Sequence, residues 1–280
     1  MRYFAPLFFF TFLVILGCGE RTDPDRTVEE DDMTAERVTE EATPANMAPE
    51  FIEVLQAHGG LTRWNDQAAV TFQIDGFPSG DGERVLNDMH RVNLGTRDQI
   101  IRGDGYVVVT RGDTTWSAPD LNTTGLPPRM YQAASFYLFG MPFVFADPGI
   151  TVTYRGEADF GGENMMEFEV QMPDEMGDGG NDYRLFADPQ TKQLKYGTWT
   201  VQYPAVADQN LKQMVDYQQW QTVDGLTVPN TVMLYTDQGE ITDDTPGVIF
   251  SYDQVSFSTD PFADETFEEP EGGVIDRSYQ

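Results

Sequence analysis

The feature that most limits the folds open to this chain is a side-chain period of two. Val70, Phe72 and Ile74 alternate with Thr71, Gln73 and Asp75, and Met166, Phe168, Val170 and Met172 alternate with Glu167, Glu169 and Gln171. Such alternation sets one face of a strand on a core and leaves the other in water. Further strands are expected at 85–94, 99–103, 106–110, 151–155, 183–187, 193–203, 214–221, 226–235 and 248–257. Turn-forming runs separate them, among them Asp104-Gly105, Arg111-Gly112-Asp113, Asp188-Pro189-Gln190-Thr191 and Asp224-Gly225. About eleven strands joined by short loops predict a mainly β (α+β) chain, built as a single open antiparallel β-barrel rather than from βαβ units.

Two segments depart from that period. Residues 47–57 place Phe51, Val54 and Leu55 at helical spacing, and His58-Gly59-Gly60 follows where a left-handed residue ends a helix. Pro127-Pro128 precedes a second helix, whose apolar residues Met130, Tyr131, Ala134, Phe136, Tyr137, Leu138 and Phe139 cover most of its circumference. A helix apolar nearly all round needs burial on two sides. In an open barrel this predicts an internal plug or lid, across the mouth or inside the concave face.

The N-terminus reads as an address. Arg2 and the apolar run from Phe8 to Leu16 form a secretory signal, too short to span a bilayer. Ile15-Leu16-Gly17-Cys18 resembles a bacterial lipobox, and Cys18 is the only cysteine of the chain. Residues 1–17 are therefore expected to be a lipoprotein signal peptide and Cys18 the acylated anchor. Residues 18–47, acidic and poor in large apolar side chains, are expected to be a disordered tether. A half-barrel domain at 48–268 and a flexible C-terminal tail at 269–280 complete the organisation.

Charge and composition narrow the chemistry. Asp and Glu number 47 against 17 Lys and Arg, a formal net charge of −30. That excess repels nucleic acid and anionic surfaces and leaves neutral, apolar or cationic partners. All the basic residues except Lys192, Lys195 and Lys212 are arginine, an acidic, lysine-poor balance that resembles halophilic proteins. One cysteine and two histidines cannot build a disulfide framework or a zinc ribbon. His58 at a helix end is expected to bond the last helical carbonyls, and His90 lies alone in a strand. The acidic loop 174–182 lacks the spacing of a calcium-binding helix-loop-helix, so no metal and no cofactor are expected. Neither a Gly-x-Ser-x-Gly elbow nor a phosphate-cradling glycine loop occurs, so no catalytic residue is assigned.

Three stretches together resemble an uncharacterised family of Bacteroidetes-type lipoproteins of the LolA/LolB-like superfamily. They are Ala57-His58-Gly59-Gly60-Leu61 with Trp64-Asn65, Phe136 to Phe143 running into Ala146-Asp147-Pro148-Gly149, and Asp224-Gly225-Leu226-Thr227-Val228-Pro229. The resemblance implies an unclosed barrel around a helix, and a lipid or lipoprotein acyl chain in its concavity. Inward residues expected to line such a cavity are Trp64, Phe72, Ile74, Trp116, Met130, Phe136, Tyr137, Phe139, Phe143, Met166, Phe168 and Trp199. Cys18 would tether the protein like a LolB-type acceptor. Gly19 lacks the acidic residue that retains lipoproteins in some inner membranes, so the outer membrane of a Gram-negative envelope is expected. Two alternatives remain open: an interaction scaffold with a fully packed barrel, and a carboxylate-dependent envelope hydrolase.

Overall fold

The computed structural model describes residues 46–79, 85–173, 183–242 and 244–279. Residues 1–45, with Cys18 and most of the expected tether, lie outside the described residues, as does the 174–182 loop. Thirteen strands form one sheet: β1 (Ala69–Pro78), β2 (Val85–Asn93), β3 (Gln99–Gly103), β4 (Tyr106–Arg111), β5 (Thr114–Ala118), β6 (Thr151–Phe160), β7 (Glu163–Gln171), β8 (Tyr183–Ala187), β9 (Leu194–Thr200), β10 (Lys212–Val223), β11 (Leu226–Asp237), β12 (Gly247–Ser258) and β13 (Val274–Ile275). Three helices accompany it: α1 (Pro49–Ala57), α2 (Leu61–Asn65) and α3 (Pro128–Gly140).

The strand order is β13-β5-β4-β3-β2-β1-β12-β11-β10-β9-β8-β7-β6, antiparallel at every step. Two meanders, β1–β5 and β6–β12, are thus welded along β1 and β12. The sheet is open, with β6 and β13 at its edges. Main-chain bonds partly cover β6, where Val152 N donates to Asn46 O and Ala48 N to Val152 O, both at 3.0 Å. Pairing of this kind blunts an edge that would otherwise recruit foreign strands.

Local chemistry explains the elements. Asp224-Gly225 joins β10 to β11 with both residues at positive φ, 51° and 79°, the two-residue turn whose twist matches the strands it connects. Register shifts at Gly76 in β1 and at Arg155, just before Gly156, in β6 mark bulges, which bend a sheet. Proline opens both α1 and α3, where a missing N–H costs nothing. Although α3 has no side-chain cap of its own, Asp276 Oδ2 accepts from Arg129 N at 2.9 Å, placing a carboxylate at the positive end of its dipole.

The concave face wraps α3. Phe72 of β1 stacks on Phe139 at 4.5 Å and meets the edge of Tyr252 at 5.5 Å, while Phe51 of α1 meets Phe168 of β7 at 5.3 Å. Pairs of this geometry add about 0.5–1.5 kcal/mol each beyond the area they bury. A second, smaller cluster of Ile100, Val109 and Phe267, with Trp116 and Phe262 against it, lies on the opposite face.

Three expectations need correction. The sheet has thirteen strands because β5 and β13 join the eleven expected. Residues 269–280 were expected to form a flexible tail, yet β13 pairs with β5 and Asp276 is buried, tied by its N–H to Thr115 O at 2.8 Å. Trp116 was expected in the concavity but pairs in register with outward-facing Val109, so it packs on the outer cluster, its indole N–H buried without a partner.

Candidate functional site beside the internal helix

The three sequence motifs meet at one joint. Trp64 of α2 stacks on Phe143 at 4.6 Å and 7°, and His58 lies edge-on to Phe143 at 6.4 Å and to Trp220 at 4.4 Å. Arg63 Nη1 donates both to Gly59 O at 2.8 Å and to Gly225 O at 3.1 Å. The His58 ring does not cap its helix as expected. Its Nδ1–H donates to Thr227 O at 3.0 Å, and its Nε2 accepts from Leu194 N at 3.0 Å, tying α1 to β11 and β9. Burial pushes this imidazole down to about 4, against the smaller opposing pull of the Thr227 carbonyl. With both nitrogens engaged and the ring sealed, this joint is structural.

Polar bonds also fix α3 to the sheet inside the apolar interior. Asp88 of β2 accepts from His90 Nε2 at 2.6 Å, from Tyr131 Oη at 2.8 Å and from Tyr106 Oη. Gln99 Nε2 donates to His90 Nδ1 at 2.8 Å, and Gln132 Nε2 donates to Gln99 Oε1 at 2.8 Å. Burial first, then the charge of Asp88, pushes the Tyr131 phenol well above its ordinary value, so it serves as a donor. From the other meander, Tyr217 Oη donates to Leu138 O at 3.0 Å and Tyr252 Oη to Ser135 O at 2.9 Å. Buried groups satisfied in this way specify one position for the helix.

Space remains on the two flanks of α3. On one side a cleft of about 780 Å³ is bounded by Trp64, Leu94, Phe136 and Tyr137 and by the polar Asn65, Gln67, Arg97, Thr110, Arg129, Gln132 and Asp147. On the other a slot of about 80 Å³ lies among Met130, Leu138, Met141, Met172, Trp199 and Tyr203. Tyr137, half-buried, borders both. The cleft falls in the range of small-molecule sites, and the slot has a predominantly apolar wall.

The expected cavity residues divide by depth. Trp64, Phe136 and Tyr137 line the cleft, and Met130, Tyr137 and Trp199 line the slot. Phe72, Ile74, Phe139, Phe143, Met166 and Phe168 are sealed in the core by α3 and the turn of 3-10 helix at Phe143–Ala146. Sequence reasoning missed the polar wall of Arg97, Arg129, Gln132 and Asp147. A visible signal was Asp147, inside a quoted motif, though nothing local tied it to Arg97 fifty residues away. Among the described residues no group of three or more His, Cys, Asp or Glu side chains is placed to hold a metal. No described helix is long and apolar enough to cross a membrane.

No protein-family model matches the chain, and no curated protein does. Solved structures are similar to it. A DUF1329 family protein from Desulfovibrio piger superposes with a TM-score of 0.50 at 10% identity, over 78% of this chain and 95% of that one. A LolA superfamily protein from Nitrosomonas europaea gives a TM-score of 0.48 at 9% identity, over 77% and 96%. At such identities the likeness concerns the fold, and this chain shares its fold with the Desulfovibrio piger protein.

Proposed function

We propose that this chain is a Gram-negative cell-envelope lipoprotein, anchored through Cys18 on the outer membrane, that binds a hydrophobic ligand beside α3 and catalyses no reaction. The observation that carries the reading is the pair of openings on the flanks of α3 that share Tyr137 as a wall. Aromatic and thioether walls suit a lipid or a lipoprotein acyl chain, because they adapt to variable apolar shapes. Of the described carboxylates, the buried ones are Asp88 and Asp276. Each is occupied, Asp88 by its three donors and Asp276 by Arg129 N, Ser278 N and Ser278 Oγ. Neither leaves a free acid for hydrolysis, which needs an opposed pair across a substrate gap.

The test is lipid extraction and native mass spectrometry of the Cys18→Ser chain. The expected result is one co-purifying lipid per chain, with affinity falling about tenfold in Tyr137→Ala. One observation favours a second reading, a scaffold lipoprotein with a cationic partner: Phe72, Phe139 and Tyr252 are wholly inaccessible. A lipid-free mass, unchanged by offered fatty acid or phospholipid, decides for the scaffold.

A further inference from the structure

Resting on the reading of the cleft as a ligand site, we propose that its occupant is an amphiphile with an anionic head, held by Arg97 and Arg129. The wall chemistry argues for this against the sign of the whole chain. Acidic residues outnumber basic ones by 47 to 17, yet among the described residues the cleft is lined by Arg97, Arg129 and the single acidic residue Asp147. Arg97 Nη2 holds that carboxylate at 2.6 and 2.8 Å, which leaves Arg129 as the second cation of the wall, with the Asp276 carboxylate on its backbone N–H at 2.9 Å. The Arg129 guanidinium makes no ion pair among the described residues. Its Nη1 donates to Asp113 O at 2.8 Å, and its Cζ sits 4.3 Å from the centre of the Tyr279 ring.

Arg97 is held at the cleft by several restraints. Its φ is 64°, in the left-handed region that few non-glycine residues adopt, and its N–H donates to Asn93 O at 2.8 Å. Its guanidinium lies 5.0 Å from the centre of the Phe136 ring. Its Nη1 is closed from solvent and has no hydrogen-bond partner, a donor state that proteins seldom leave unanswered. An anionic oxygen would answer it with a charge-assisted bond once the side chain turns this nitrogen into the cleft. The apolar chain then runs over Phe136 to Tyr137, whose far side borders the slot at Met130 and Trp199. Head and chain thus meet walls that share Tyr137.

The experiment titrates the full Cys18→Ser chain with four ligands of one chain length: dodecanoate, dodecyl phosphate, dodecanol and dodecyltrimethylammonium, read by native mass spectrometry and tryptophan emission. The expected result is binding of at least one anionic ligand about tenfold or more tighter than dodecanol, with the cationic ligand weakest. The carboxylate and phosphate arms separate a fatty-acid head from a phospholipid head. Arg129→Gln collapses the ratio between anionic and neutral ligands, Arg129→Lys restores part of it, and Arg155→Gln on the outer surface changes nothing. Equal affinity for all four heads, a preference for the cation, or an anionic preference that survives both Arg129→Gln and Arg97→Gln overturns the proposal while leaving a hydrophobic site. Binding of none of the four removes the ligand reading itself.

Discussion

His58 is neutral in the native protein down to about pH 4, against an ordinary value of 6.5. Its folded value lies below its unfolded one, so the stability it lends is fully present above pH 6.5 and is lost as acidity rises through that window to pH 4. At about 1.36 kcal/mol per pH unit, the loss amounts to about 3 kcal/mol. Urea midpoints at pH 7.5 and 4.5 should therefore fall more steeply for the native chain than for His58→Gln, and parallel losses would refute the assignment. The neighbouring Gly59 has φ of 109°, and a Cβ there would stand 2.3 Å from Gly225 O. Gly59→Ala should cost more than about 1 kcal/mol, since both the backbone region and the space are denied to it. Sequence showed that these residues mattered as a group but misplaced the bond: the imidazole reaches strands more than a hundred residues away, which helix-end chemistry cannot foresee.

At the scale of elements, α3 depends on donors that it does not own. Tyr217→Phe removes the hydroxyl on Leu138 O, a last-turn carbonyl whose fourth residue on is Pro142 with no N–H to give, and leaves it buried and unanswered, a cost of about 1–3 kcal/mol. Hydrogen exchange should then speed selectively across α3 and leave β2 to β4 protected; uniform acceleration would mean that the helix opens only with the whole domain. The element was legible because its apolar residues run round the full circumference. Equally legible were β1 and β7, where alternation survives in Phe72 and Phe168. Illegible were β5, five residues between a glycine turn and Pro119, and β13, whose two residues carry no period at all. Trp116 shows the further limit: a large aromatic faces inward or outward by register, and β4 sets that register by pairing Val109 with it. The cleft was half legible for the same reason, since much of its apolar side lies within motifs while Arg97 comes from the β2–β3 turn and Arg129 from the first turn of α3, both outside those motifs.

For the molecule as a whole, a net charge of −30 opposes compaction. The outer face offers scattered pairs such as Arg155–Glu169 and Lys192–Glu53, and pairs so exposed contribute little. Self-repulsion over many ångströms is screened as the Debye length shrinks from about 30 Å at 0.01 M salt to about 3 Å at 1 M. Thermal midpoints should accordingly climb across that range, and a flat or falling series would count against the reading of a salt-adapted chain. The bond from Arg129 N to Asp276 spans 147 residues, and β1 finds its partner in β12 only after ten intervening strands have been made. A ribosome delivers these parts in sequence, so the first meander emerges with its flank on β12 still bare and its buried helix lacking the carboxylate at its tip. Assembly must therefore wait for the far end of the chain, which makes this a protein that completes its folding only once the whole chain is made and one for which a shielding chaperone matters during the interval.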